Sequence, residues 1–247
     1  MRRQRAGVEE IERALGAGEP LRLLLVRRDA GAAVRALAER ARALGAVVRA
    51  ATANDLRRMS RCDPPADALA LVGPDPSAAP DAVLAGEGAV WLLAGVAYPG
   101  NAGYAIRTAE VSGAAGIFLD AAFDGAARRQ ALRAAMHAER FFPVHWMPGA
   151  TVLDAARAAG RCAVAVEDVG THAPWEVDLR GRALFVIGGE ERGIPPAVLA
   201  RCDRVLRVPM AGFVPSYNLQ AAMAAVAAER LRQLGAPLGE RLADDRD

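Results

Sequence analysis

"FVIGGEERGIPPAVL", residues 185–199, ends an apolar run in two glycines, follows them with two glutamates and a third glycine, and then meets a proline pair. A short apolar run bounded by glycine reads as a buried strand. The glycines let the backbone turn tightly or approach another group, and proline is suited to the first turn of a helix. The stretch is therefore a strand, a close turn and a short helix. The same alternation extends outward on both sides. Strands are expected at "AVWLLAG" (89–95), "GIFLD" (116–120), "PVHWM" (143–147), "CAVAVED" (162–168) and "RVLRVPM" (204–210). Helices are expected at about 102–112, through "RRQALRAAMHAERF" (128–141), through "TVLDAARAAG" (151–160), after "IPP", and from about Asn218 to Leu234. Such alternation predicts an α/β fold, a mostly parallel sheet with helices on both faces.

Ahead of this region lies a smaller α/β pattern. "VEEIERALGAG" has helical spacing, "LRLLLV" is a buried strand, "AGAAVRALAERARALG" is an amphipathic helix stopped by glycine, and "AVVRAATA" and "ALALVG" are strands. "GPDPSAAPDAVLAGEG" (73–88) concentrates proline, glycine, alanine and aspartate between two strand-like runs. These signals divide the chain into a small α/β domain at 1–75, a linker at 76–88, a larger domain at 89–235 and a flexible polar tail at 236–247.

Composition narrows the function classes. The chain has 247 residues, 53% hydrophobic and 24% charged, which fits a globular protein with a substantial core. No apolar run reaches the roughly 18 residues of a membrane span, and "MRRQRAGVEEIERALG" lacks the apolar block of a secretory signal. A cytoplasmic protein with no membrane partner is expected. Cys62, Cys162 and Cys202 show no CxxC spacing, which argues against zinc or a disulfide framework, so no metal site is expected. Net charge is only +2, and all 31 basic residues are arginine, as a GC-rich coding bias would produce. Arginines cluster in "MRRQR", "VRRD" and "DLRRMSR", either as solvated faces or as a surface that tracks phosphates.

Ligands of open α/β sheets bind beyond the carboxyl ends of the strands. Three loops there stand out. "GVAYPGNAGYAIRTAEVSG" (95–113) holds Gly100 and Gly103, Asn101 as a helix cap, and Arg107 in the helix that follows. A cap and a surface arginine would account for it alone. The Gly188 to Gly193 loop suits a cationic or hydroxyl-rich ligand, because two adjacent glutamates repel phosphate and the pattern lacks both GxGxxG and a P-loop ending. "RVPMAGFVPSYNLQAAMAAVAAERL" (207–231) is an extended loop held by Pro209, Gly212 and Pro215, with Ser216 or Asn218 starting a long helix. Two polar side chains flanking Tyr217 exceed what a cap requires.

Together the three loops resemble the three motifs of the SpoU or TrmH branch of the SPOUT RNA methyltransferases. "NAGYAIRTA" is similar to that family's asparagine, glycine and RTA motif, "GGEERG" to its glycine, glutamate and glycine motif, and "PMAGFVPSYN" to its P-M-x-G-x-x-x-S-L-N motif. The resemblance covers about residues 89–234. The N-terminal region resembles, more loosely, the small L30e-like substrate-binding domain that many members carry. What the resemblance implies is a C-terminal trefoil knot, S-adenosylmethionine bent into it, a homodimer, and methyl transfer to a ribose 2′-hydroxyl of RNA. Ribosomal RNA is the first substrate and transfer RNA the alternative. A noncatalytic RNA-binding member is a further alternative, opposed by the intact polar positions.

Carried over by position, Gly188, Val208 and Tyr217 would line the cofactor, with Ile187, Gly189, Pro209 and Met210 beside them. Tyr217 departs from the family's leucine. Arg107, Asn101, Glu190, Ser216 and Asn218 would be the catalytic set. In it Asn101 and Asn218 orient by hydrogen bonds, Glu190 anchors Arg107 or a neighbouring loop, and Ser216 bonds the target. The strong basicity of guanidinium groups makes orientation of the target and stabilisation of an alkoxide easier roles for this arginine than general base. Tyr98, Ala135 and His137 replace residues more usual in the family, and His137 is either packing on its helix or a proton relay.

Overall fold

The computed structural model describes residues 4–60, 64–73 and 75–236, apart from the Arg58 side chain. Residues 1–3 of the basic start, Cys62 with its neighbours 61 and 63, and positions 237–247 of the expected tail lie outside the described residues. The chain divides into two compact units between Asp75 and Pro76.

The first unit contains β1 (Gln4–Ala6), α1 (Gly7–Gly16), β2 (Leu21–Arg27), α2 (Ala32–Ala43), β3 (Val47–Ala51), α3 (Ala53–Met59) and β4 (Ala68–Val72). Its four strands run in the order β1-β4-β2-β3, with β2 and β3 parallel and β4 antiparallel to both β1 and β2. Ile11, Leu24, Leu37 and Ala41 are fully buried in its core. Two of its elements are not visible as apolar runs. β1 exists because its backbone pairs with β4, while Arg5 reaches the Glu19 carboxylate at 2.6 Å. α3 begins in a capping box, in which the Asp55 amide donates to Thr52 Oγ1 and the Thr52 amide donates to the Asp55 carboxylate.

The second unit contains α4 (Pro80–Ala85), β5 (Val90–Ala94), α5 (Pro99–Val111), β6 (Gly116–Asp120), α6 (Gly125–Ala134), β7 (Val144–Trp146), α7 (Gly149–Ala158), β8 (Cys162–Val166), β9 (Ala183–Gly188), α8 (Pro196–Leu199), β10 (Arg204–Leu206) and α9 (Leu219–Gln233). All six strands are parallel, in the order β10-β8-β9-β5-β6-β7. Alternate side chains serve opposite faces. Val90 and Leu92 join Val83 of α4, Val152 of α7 and Val198 of α8, whereas Trp91 and Leu93 join Ile106 of α5, Ala131 of α6 and Met223 of α9. Each large side chain buried this way contributes about 1.5–3 kcal/mol.

Residues 76–88, expected as a linker, instead hold α4, whose Val83 and Leu84 are buried in the second core. Arg161 fastens this segment. Its buried guanidinium donates to the carbonyls of Val83, Leu84, Gly86 and Gly88, satisfying the open end of α4. Burial, with help from the Arg182 charge, lowers the Arg161 pKa to about 10, so it stays charged near neutrality.

Two helix boundaries also differ from expectation. α5 starts three residues earlier than the expected 102, with Tyr98 as N-cap and Pro99 in the first turn, so Asn101 lies inside the helix rather than capping it. α6 ends at Ala134, and Met136 and His137 both have φ of 56°. His137 is therefore off the helix, and its ring nitrogen meets Glu139 at 3.1 Å.

Gly103 is the contact point between α5 and α6. A Cβ there would stand 2.4 Å from the Ala131 carbonyl oxygen and 2.5 Å from the Ala134 Cβ. Gly103→Ala gains about 1 kcal/mol of helix propensity but forces two backbones apart. The clash should win, giving a net loss of about 1–2 kcal/mol in urea unfolding. Burial also raises the Cys202 thiol to about 11 and raises that of Cys162, with the Asp203 carboxylate adding to both. Both thiols should be alkylated by iodoacetamide at pH 8 far more slowly in the native protein than in urea, as peptide mapping would show.

Candidate functional site

Because the six strands are parallel, their carboxyl ends share one edge. The β5–β9 boundary divides strands that follow β5 in sequence order, β6 and β7, from the later group β9, β8 and β10. That is a switch point, where loops on either side diverge and leave a crevice. The loops after β5, β8, β9 and β10 meet there.

Glycine makes the meeting possible. A Cβ on Gly189 would stand 2.0 Å from the Gly95 carbonyl oxygen, and one on Gly188 would stand 2.1 Å from the Gly193 carbonyl carbon. Backbone thus lies directly on backbone. The Gly189 amide donates to the Ala94 carbonyl, and the Gly193 amide closes the turn onto the Gly189 carbonyl. Gly193 adopts φ of +62°, a conformation that a side chain would strain.

A chain of hydrogen bonds then ties three loops together. Glu190 accepts from the Ala97 amide at 3.0 Å and from Asn101 Nδ2 at 2.7 Å. Asn101 Oδ1 in turn accepts from Asn218 Nδ2 at 3.1 Å, and Asn218 Oδ1 caps α9 through the Gln220 amide. Glu190 therefore anchors the neighbouring loop and α5, and not Arg107. Asn218, rather than Ser216, caps α9.

Beside this chain lies a pocket of about 390 Å³. Ile187, Gly188, Gly189, Val208, Met210 and Tyr217 line it, as do Glu190, Ser216 and Asn218. Pro209 is not among the lining residues; its carbonyl accepts from the Tyr217 hydroxyl at 3.3 Å. Asn101 is held behind the pocket by Glu190 and Asn218. Arg107 is exposed on α5, outside the pocket lining, with no hydrogen-bond or ion-pair partner among the described residues. A side chain held by nothing is free to reach toward a ligand from outside. His137 does not line the pocket either.

Residues that the sequence reading left out also line it, notably Val166, Glu167, Asp168 and Arg207. Glu167 and Asp168 follow β8 directly, so the carboxyl-end rule applied to "CAVAVED" would have found them. Burial raises the Glu167 carboxyl pKa; the Ile194 amide opposes the shift and the Asp168 charge adds to it.

Comparisons with known proteins identify the family. A family model described as the SpoU rRNA Methylase family matches residues 89–228. The chain is 32% identical over 157 residues to a 23S rRNA (guanosine-2′-O-)-methyltransferase RlmB from Burkholderia, covering 60% of this chain and 61% of the relative. It thus spans about three fifths of the length of the curated relatives it matches. Among solved structures it resembles the SpoU methyltransferase AviRb from Streptomyces viridochromogenes in complex with AdoMet. That match has a TM-score of 0.58 and 26% identity, covering 94% of this chain and 90% of the other. An AdoMet-bound rRNA methyltransferase from Sinorhizobium meliloti matches with a TM-score of 0.56 and 25% identity, covering 94% and 87%.

The hydrogen-bond chain yields a test. Glu190→Ala should cost about 1–2 kcal/mol in urea unfolding, since it frees two donors at once. Asn101→Ala added to that variant should cost less than Asn101→Ala alone, because their shared bond is already gone.

Proposed function

The chain belongs to the SpoU rRNA methylase family, and from that premise we propose that it transfers a methyl group from S-adenosylmethionine to a ribose 2′-hydroxyl of RNA, with ribosomal RNA as the substrate. The observation that carries the proposal is that two of the three loops, distant in sequence, line one pocket at the sheet's switch point, while the third is tied behind it through Asn101. The curated relatives from Burkholderia and Pseudomonas aeruginosa are 23S rRNA enzymes, which supports ribosomal over transfer RNA.

The residues present fit such a cofactor. The volume lies within the range of about 300–1,000 Å³ typical of small-molecule sites. The glycine turn exposes backbone for polar contacts, while Val208, Met210 and Tyr217 offer apolar surface to a purine. Lining carboxylates suit a cation. When bound, S-adenosylmethionine supplies a methyl group activated on a sulfonium.

The protein's own part is to position and to stabilise. Glu190 and Asn218 hold Asn101, and through it the start of α5, in register with the pocket. Ser216 faces the pocket and would bond the target ribose. Arg107, uncommitted on α5, would meet the adjoining phosphate or the hydroxyl as it becomes an alkoxide.

We infer three further features on the same basis. The C-terminal segment forms a trefoil knot, a reading supported by the path of residues 167–179. This segment runs alongside the end of β10, where His172 bridges Leu206 in parallel and its carbonyl accepts from the Arg207 amide, and Gln233 of α9 bonds both Leu179 and Val177. The protein acts as a cytoplasmic homodimer, supported by exposed Tyr104 and Val111 on α5; no helix among the described residues is long and apolar enough to cross a membrane. The first unit is the L30e-like RNA-recognition domain, supported by the exposed Arg35, Arg40 and Arg42 of α2 and Arg57 of α3.

Calorimetric titration should show saturable binding of S-adenosylmethionine and none of NADH. Tritium-methyl transfer to RNA should fall at least about 100-fold in Arg107→Ala, with cofactor affinity nearly intact. A parallel loss of cofactor binding would contradict the role given to Arg107.

A further inference from the structure

The charge balance of the pocket is uneven. Glu167, Asp168 and Glu190 line it against a single guanidinium, that of Arg207. Among the described residues none of these three carboxylates forms an ion pair. Glu190 is spent on neutral donors of the neighbouring loop and α5. Asp168 is exposed, where water screens it, but Glu167 is half-buried. Its side chain lies against the glycine turn, with Oε1 only 2.2 Å from where a Gly193 Cβ would stand, so the turn and the carboxylate fix each other's place.

We propose that Glu167 is a charge-selective cofactor residue, favouring the cationic sulfonium S-adenosylmethionine over its uncharged-sulfur product, S-adenosylhomocysteine. The proposal rests on the cofactor reading above. Substrate and product share the adenosine and the amino-acid group and differ by a methyl group and one positive charge. Apolar surface and backbone contacts therefore bind the two alike, whereas a carboxylate without an ion-pair partner in a partly desolvated pocket does not. A single such charge several ångströms from a cation changes its affinity by about three- to ten-fold. The raised carboxyl pKa of Glu167 agrees, since burial raises it and the neighbouring Asp168 charge adds to the shift. A product that loses this attraction on methyl transfer leaves more readily.

The test is calorimetric titration of the full chain and of Glu167→Gln with S-adenosylmethionine and with S-adenosylhomocysteine, at low and high salt. The expected result is that Glu167→Gln lowers the ratio of the two affinities about five-fold, mainly by weakening S-adenosylmethionine. Salt should shrink the ratio in the wild type more than in the variant. Asp168→Asn, a change at an exposed position, should move the ratio the same way by a smaller factor, which guards against a folding defect in the first variant. If both proteins bind both compounds with an unchanged ratio, or Glu167→Gln weakens both equally, the proposal is overturned while the cofactor reading stands. If the wild type binds neither compound, the cofactor reading falls and takes this proposal with it.

Discussion

Backbone lying on backbone is the constraint from which the rest of the second unit follows. Gly189 touches Gly95 and Gly188 touches Gly193 at distances that exclude even a methyl group. Those contacts bring the end of β9 against the end of β5, and only then can Glu190 reach the Ala97 amide and Asn101. From Asn101 the order passes to Asn218 and so to the first turn of α9. The contacts gain little by themselves, yet they place Glu190 and, through it, Asn101 and Asn218 beside the pocket.

The pocket also shows how a parallel sheet makes a site without a continuous motif. Its walls come from three strand ends, backed by α5, and each contributes something different. β9 supplies bare backbone, β8 supplies charge, the loop after β10 supplies apolar and hydroxyl surface, and α5 supplies the asparagine behind it. Arg161 performs the matching task at the far end of the molecule's central strands, filling the last carbonyls of α4. Helix ends must be satisfied by something, and here a guanidinium brought from 77 positions away does it.

Much of this was legible in the amino-acid order. The buried strands of the second unit announce themselves as apolar runs stopped by glycine or aspartate, and the three loops were found by their glycines, prolines and amides. What escaped had physical reasons. Asn101 looked like a helix cap because capping asparagines are common, but its amide is engaged by a glutamate 89 positions away that no local pattern points to. α4 looked like linker because proline and alanine dominate it, and its burial depends on Arg161 and α7. His137 looked helical because its neighbours are good helix formers, yet the chain turns left-handed there. β1 carries no apolar run at all and is made by its partner strand. Glu167 was overlooked because an acidic residue after a strand has the same local signature as any solvated turn.

The order of the strands bears on how the molecule comes to be built. β5 pairs with β9 across a long stretch of intervening chain, and Asn218, which completes the hydrogen-bond chain, lies later still. Pairings so distant demand that the loop be closed before any contact repays the lost entropy. During synthesis α5 is therefore made with its Asn101 unmatched, and β5, β6 and β7 must wait for β8 and β9 to cover the remaining edge. The pocket is among the last things to form, so a nascent or partly folded chain is blind to its ligand, and only a finished sheet can bind.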